Sequence, residues 1–90
     1  VYQDGIESRT IFAANGKTTF KSEYNHEDGS ETKTYFKDGR KAFTDAFDRN
    51  NRLSNRWTFH ENGKMKSETI YRIDGRKQST HYDQNGMRQD

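Results

Sequence analysis

The chain of 90 residues contains no cysteine and no proline. Without cysteine it has no disulfide scaffold, no thiolate metal site and no nucleophilic thiol. Its longest apolar run is the four residues 11–14, which is too short to cross a membrane, so no membrane span is expected. Hydrophobic residues make up only 27% of the chain, and the net charge is +2. A thin core, rich in aromatic side chains, is all that this composition can form.

Turn signals are the most regular feature of the sequence. All seven glycines follow an Asp or an Asn, which is the dipeptide pattern of tight hairpin turns. With Asn51 standing in for one missing glycine, the turns are 10 to 13 residues apart, which leaves strands of ordinary length. We therefore predict an all-β fold, a single antiparallel β-meander of about eight to nine strands in an elongated repeat sheet. The predicted turn-forming residues are Gly5, Gly16, Gly29, Gly39, Asn51, Gly63, Gly75 and Gly86.

The spacing of the turns also predicts one aromatic face. Between Gly29 and Gly75 every spacing is even, so side-chain alternation stays in phase with the turns. A three-residue loop that ends in a left-handed glycine keeps aromatic residues of neighbouring strands on one face, whereas a two-residue loop separates them. Such loops would pair Phe47 with Leu53 and Phe59 with Met65. The predicted aromatic face is also the candidate partner-binding surface and comprises Tyr35, Phe43, Phe47, Trp57, Phe59, Tyr71 and Tyr82.

Two parts of the sequence are less regular. Odd turn spacings near both ends predict bulges or a different loop around residues 20–28 and 76–84. Ala42, Phe43, Ala46 and Phe47 also fit the apolar stripe of a helix. A strand is favoured there because the turn spacing continues through it.

The pattern resembles a known repeat family. Residues 59–68 (FHENGKMKSE) and 71–77 (YRIDGRK) resemble the variant MORN repeat of bacterial YwqK-type proteins, in which an aromatic residue precedes Asn-Gly or Asp-Gly and then Lys. The second Gly-x-Gly of the eukaryotic MORN unit is missing, which weakens a lipid-binding prediction. The resemblance implies a sheet of antiparallel hairpins and an antitoxin or immunity role. We expect residues 1–90 to form one such repeat domain, a slice of a longer array.

Catalytic and metal-binding patterns are scarce. The three histidines fall near turns without a ligand-like spacing, and no Asp-x-Asp calcium loop or Gly-x-Gly phosphate loop is present. Glu27 with Asp28, and Asp45 with Asp48, are the carboxylate pairs that could serve as acid and base. Carboxylates in turns and on strand faces more often have structural roles. We therefore predict no enzyme activity, no cofactor and no metal.

Basic residues are concentrated in the second half of the chain and alternate there with aromatic ones. This combination on a sheet can bind single-stranded nucleic acid, although long basic side chains also cover aromatic rings and protect strand edges. The candidate residues for such binding are Arg49, Arg52, Arg56, Lys64, Lys66, Arg72, Arg76 and Lys77.

Two functional hypotheses follow. The favoured one is a non-enzymatic protein-binding module that binds a toxin or neighbouring repeats through its aromatic face or an edge strand. The alternative is a structural or carbohydrate-binding segment of a larger bacterial surface or secreted protein, in keeping with the incomplete strand before Gly5 and the likeness of residues 82–86 to a YD repeat. Homo-oligomers through the same face or edges are compatible with both. The compartment stays open between the bacterial cytoplasm and, after removal of a signal peptide, the periplasm or cell surface.

Overall fold

The computed structural model describes residues 2–3 and 5–89, with side chains from residue 5 onward. Asp4, in the predicted first turn, lies outside the described residues. The strands form one nine-stranded antiparallel sheet in sequence order, so the predicted all-β meander is confirmed. They are β1 (Tyr2–Gln3), β2 (Ile6–Phe12), β3 (Thr18–Asn25), β4 (Glu31–Lys37), β5 (Arg40–Phe47), β6 (Leu53–Phe59), β7 (Met65–Tyr71), β8 (Lys77–Tyr82) and β9 (Arg88–Gln89).

The sheet is a broad plate. Its dimensions are 40 × 38 × 20 Å, so it is about as wide as it is long and lacks the elongated outline expected of the repeat. Residues 42–47 belong to β5, which settles the choice between strand and helix in favour of the strand. No helix in the described part of the chain is long and apolar enough to cross a membrane.

Most hairpins turn through the three-residue loop that the spacing predicts. After β6, the amide of Gly63 donates to the carbonyl of His60, and the amide of His60 donates to the carbonyl of Lys64. Gly63 has φ of +88° and Asn51, at the corresponding place after β5, has φ of +62°. Asn tolerates this left-handed conformation better than most residues, which is why it can replace glycine in the turn.

The turn at Gly39 differs from the prediction. Lys37 pairs with Arg40, so the loop has two residues, and both Asp38 (φ +54°) and Gly39 (φ +78°) are left-handed. Positive φ at both central positions is the type I′ turn. A two-residue loop alone would place Tyr35 and Phe43 on opposite faces. An extra residue, Ala42, bulges out of β5 and restores their pairing.

Irregularities in the ladder lie only partly where they were predicted. The loop between β3 and β4 has four residues, 26–29, closed by pairing of Asn25 with Ser30, in agreement with the prediction for 20–28. The prediction for 76–84 was wrong, because β7 and β8 pair without a register shift and turn through a three-residue loop. A bulge at Thr19 lies near the first predicted region, and further bulges at Ala42, Ser54 and Lys66 fall within the evenly spaced part of the chain.

The aromatic side chains are divided between the two faces of the sheet, so the prediction of one aromatic face was wrong. Phe47 pairs with Leu53 and Phe59 with Met65, as predicted. Beyond the bulge at Ser54, however, Phe43 lies opposite Thr58, so Trp57 projects from the other face. The face that carries Phe43 is called the Tyr35 face, and its residues include Phe20, Tyr35, Phe43, Asp45, Phe47, Arg56 and Tyr71. The face that carries Trp57 is called the Trp57 face, and its residues include Thr34, Thr44, Trp57, Phe59, Glu68 and Tyr82.

The sheet has no conventional core. None of the described hydrophobic side chains is buried, and the one buried residue is Asp45, at 5% exposure. Side chains along β4 to β6 are mainly half-buried by their neighbours within the sheet, whereas Phe12 and Met87 near its margins are exposed. A single layer therefore leaves both faces of its central strands partly open to solvent.

Candidate functional site

An aromatic row crosses the Tyr35 face. The rings of Phe20 and Tyr35 meet edge to face with centroids 5.1 Å apart, and those of Tyr35 and Phe43 stack at 4.6 Å. Directly opposed residues on β3, β4 and β5 make this possible, since Tyr35 pairs with both Phe20 and Phe43. Such contacts fix the rings in position, so the row is a preorganised apolar surface.

A charged pair continues the row onto β6. Arg56 donates from Nε to Oδ1 of Asp45 (2.6 Å) and from Nη2 to Oδ2 (2.9 Å), and its guanidinium lies 5.1 Å from the centre of the Phe43 ring. The hydrogen bonds from Arg56 to Asp45 raise the pKa of the guanidinium above its ordinary value. Lys33 lies 5.0 Å from the centre of the Phe47 ring on the same face. Aromatic rings thus alternate with cations at the centre of this surface.

Hydroxyl pairs occupy the Tyr35 face from β6 to β8. Thr58 and Ser67 share a hydrogen bond, and Thr69 and Ser79 share another of 2.9 Å. The Tyr35 face therefore has an apolar half on β3 to β5 and a polar half on β6 to β8. An interface with both kinds of surface can combine apolar burial with hydrogen bonding.

The Trp57 face is more polar at its centre. The indole Nε1 of Trp57 donates to Oε2 of Glu68 (3.0 Å), and the hydroxyls of Thr34 and Thr44 lie 3.0 Å apart. Lys41 is positioned 5.7 Å from the centre of the Phe59 ring. These rings are covered in part by polar partners of the same sheet.

The predicted partner-binding residues fall into two groups. Tyr35, Phe43, Phe47 and Tyr71 are on the Tyr35 face; Trp57, Phe59 and Tyr82 are on the Trp57 face. No single flat partner can contact all seven. Phe20 also lies on the Tyr35 face and was missed. Asp45 and Arg56 lie there too but were predicted only as an acid–base candidate and a nucleic-acid-binding candidate, because only the register of the strands brings them beside Tyr35 and Phe43.

Three of the four candidate acid–base carboxylates, those of Asp28, Asp45 and Asp48, have structural partners, and that of Asp45 is Arg56. Asp28 accepts hydrogen bonds from the amide and hydroxyl of Ser30, chiefly the hydroxyl, and these lower its pKa. Asp48 accepts from the amides of Arg52 and Asn50, which lower its pKa despite partial desolvation. Within the described residues no group of three or more His, Asp or Glu side chains could hold a metal ion. The carboxylates of Asp28 and Asp48 therefore close turns.

Two of the three histidines, His26 and His60, also contact their neighbours within the sheet. His26 Nε2 lies 3.1 Å from Oε1 of Glu7, and the His26 ring packs edge to face on Tyr24. His60 Nε2 lies 2.9 Å from the carbonyl oxygen of Tyr82, which links the turn after β6 to the end of β8. Both contacts bridge neighbouring hairpins.

The fold and its surfaces define the chain as an open, single-layer β-meander module. No protein-family model matches it, and no curated protein matches it. Among solved structures it is similar to a point mutant of Staphylococcus aureus TarM in complex with fondaparinux, α-GlcNAc-glycerol and UDP, with a TM-score of 0.69 and 18% identity over 96% of this chain. A second TarM crystal structure gives 0.67 and 16% over 94%. The chain spans only 17% and 18% of those two chains, and the likeness shows the fold alone.

Proposed function

We propose that the chain is a non-enzymatic protein-binding module that binds its partner through the Tyr35 face. The observation that carries the proposal is the aromatic row Phe20–Tyr35–Phe43, which is half-buried on a sheet in which no described hydrophobic side chain is buried. Covering this row would remove apolar surface from water without requiring the rings to reorganise.

The size and chemistry of the face support this proposal. A plate of 40 × 38 Å is larger than the roughly 800 Å² that each partner contributes to a standard interface. Tyr and Arg are enriched among the residues that dominate binding energy, and both lie at the centre of this face. In keeping with the family resemblance, the proposed role is that of an antitoxin or immunity protein and the proposed partner is a toxin.

The experiment compares the two faces. The product of the neighbouring gene is titrated against the wild-type chain, Phe43→Ala and Trp57→Ala, by calorimetry. Phe43→Ala should weaken binding about tenfold or more, because it removes the centre of the aromatic row. Trp57→Ala removes a larger ring from the other face and should change the affinity less than about twofold.

Circular dichroism of both variants checks that the sheet is intact. Absence of binding by the wild-type chain, or an equal loss in the two variants, would contradict a docking role of the Tyr35 face.

The second candidate function is a non-catalytic segment of a larger bacterial surface or secreted protein. The likeness to TarM favours it, because nearly all of this chain matches about one sixth of a glycosyltransferase. In such a setting another part of the same polypeptide would cover the Tyr35 face. The full reading frame tests this: a signal peptide with many more repeats, or a fused catalytic domain, supports it, and a compact gene beside a toxin gene opposes it.

A further inference from the structure

A groove runs along one end of the sheet, where alternate hairpin turns lie side by side. One cleft of about 500 Å³ contains Lys17, Lys37, Arg40 and Lys41, and an adjoining cleft of about 510 Å³ contains Asn62, Lys66 and Gln84. The two clefts adjoin, because both are lined by Phe59, His60 and Glu61, and we call them together the groove. A groove that crosses several turns suits an extended polymer better than a small molecule.

The charge in this groove is largely unneutralised. Its five cations face only two carboxylates, those of Asp38 and Glu61. Among the described residues, no carboxylate forms an ion pair with Lys17, Lys37, Arg40, Lys41 or Lys66.

The opposite end of the sheet provides a comparison. There Arg52 pairs with Asp48 at 3.3 Å and Arg76 pairs with Asp74 at 3.5 Å, each within its own turn. Two cations at the opposite end are therefore neutralised within their own turns, whereas none of the five groove cations has such a partner among the described residues and their charge can attract an anionic ligand.

The other groups in the groove indicate the kind of polyanion. Phe59 is the one Phe, Tyr or Trp among the residues that line the two clefts, and Lys41 lies 5.7 Å from the centre of its ring; the imidazole of His60 lies 2.9 Å from the carbonyl oxygen of Tyr82. Single-stranded nucleic acid is bound by a succession of rings on which its bases stack, and a single partly covered ring does not provide one. The carboxylates of Asp38 and Glu61 can only accept hydrogen bonds, and the backbone of single-stranded DNA offers no donor to them. Sugar hydroxyls do.

We propose that this groove binds an anionic glycan, a chain of sugar residues bearing sulfate, phosphate or carboxylate groups. Lys17, Lys37, Arg40 and Lys41 bind the anionic groups, Asp38 and Glu61 accept hydrogen bonds from the hydroxyls, and one sugar ring packs on Phe59. The proposal rests on the second candidate function, a segment of a larger surface or secreted protein that binds carbohydrate, and it specifies the carbohydrate. It is independent of protein docking on the Tyr35 face.

The test uses a sulfated hexasaccharide as the probe, with maltohexaose as the neutral control and an oligothymidylate of matched charge as the nucleic-acid control. Two double variants of equal net charge are compared with the wild-type chain by calorimetry. Lys17→Gln with Lys41→Gln alters the groove, and Arg49→Gln with Lys77→Gln alters the opposite end of the sheet.

We expect the sulfated hexasaccharide to bind at low salt and to bind more weakly as salt is added. The groove variant should lose about tenfold in affinity and the variant at the opposite end less than about twofold. Equal losses in the two variants, tighter binding of the oligothymidylate, or no binding of the sulfated probe would each overturn the proposal.

Phe43→Ala distinguishes the two functions. It should leave glycan affinity unchanged, since Phe43 lies outside the groove, so failure of glycan binding and failure of protein docking are seen separately.

Discussion

Asp45 and Arg56 form a two-point ion pair across β5 and β6, and Asp45 is the one buried residue of the described part of the chain. In most folds of this size the most buried side chains are apolar. Here the Phe43 ring lies against the guanidinium, with centroid and Cζ 5.1 Å apart, and the Asp45 carboxylate is satisfied by two hydrogen bonds. The centre of the Tyr35 face is therefore organised by a charged pair that aromatic side chains flank.

Removing Arg56 should destabilise the sheet. Arg56→Met keeps much of the side-chain volume but leaves a buried carboxylate without its partner, which costs several kcal/mol when both ions are fully buried. Because the Arg56 side chain is 42% exposed, we expect a smaller loss, about 2 kcal/mol. Urea unfolding followed by circular dichroism measures it.

The control is Arg52→Met, which breaks the more exposed ion pair with Asp48 and should cost less than about 0.5 kcal/mol. The same loss in both variants would show that the burial of Asp45 carries no special weight.

The turns predict opposite effects for two substitutions. Gly63 has φ of +88° and open space around the position of a Cβ atom, so Gly63→Ala should cost about 1–2 kcal/mol through backbone strain alone. Asn51 occupies the same kind of position with φ of +62°, so Asn51→Gly should be neutral or stabilise by up to about 1 kcal/mol. Thermal unfolding of the two variants measures the difference, and a loss of stability in both would contradict this account.

The turns were predictable from sequence because a left-handed turn position favours an Asx-Gly pair, and the alternation of side chains in the flanking strands supports the same assignment. The bulges have no comparable sequence signature. Ala42, Ser54 and Lys66 are ordinary strand residues, yet each adds one residue to its strand and changes which side chains share a face beyond it. For this reason Phe47–Leu53 was predicted correctly, while the placement of Trp57 beside Phe43 was not.

Deleting Ala42 tests the role of its bulge. Without this residue the two-residue loop at Asp38 and Gly39 would bring Phe43 to the wrong face, so the ring would lose its stacking on Tyr35. We expect a loss of at least about 2 kcal/mol, the sum of a ring contact and the burial of part of a Phe side chain. Ala42→Gly, which keeps the residue count, is the control and should cost no more than about 1 kcal/mol. Urea midpoints compare the two variants, and a deletion variant as stable as the wild-type chain would refute this role.

The turn carboxylates predict a loss of stability in acid. Hydrogen bonds from Ser30 to Asp28 and from the amide of Arg52 to Asp48 lower the pKa of each carboxyl below its ordinary value of 3.8. A lowered pKa means that the unfolded chain binds more protons, so stability rises with pH through this range. The contribution is complete above the unfolded value and is lost as the pH falls through the lowered one.

We therefore expect the urea concentration at the unfolding midpoint of the wild-type chain to decrease as the pH is lowered below about 4. Asp28→Asn with Asp48→Asn keeps oxygen acceptors for the turn amides while removing both charges, so the midpoint of this variant should depend less on pH in that window. Glu61→Gln, which removes a carboxylate from an exposed turn position, is the control and should retain the acid dependence of the wild-type chain. A pH profile of the double Asn variant that parallels the wild-type profile would exclude Asp28 and Asp48 as its source.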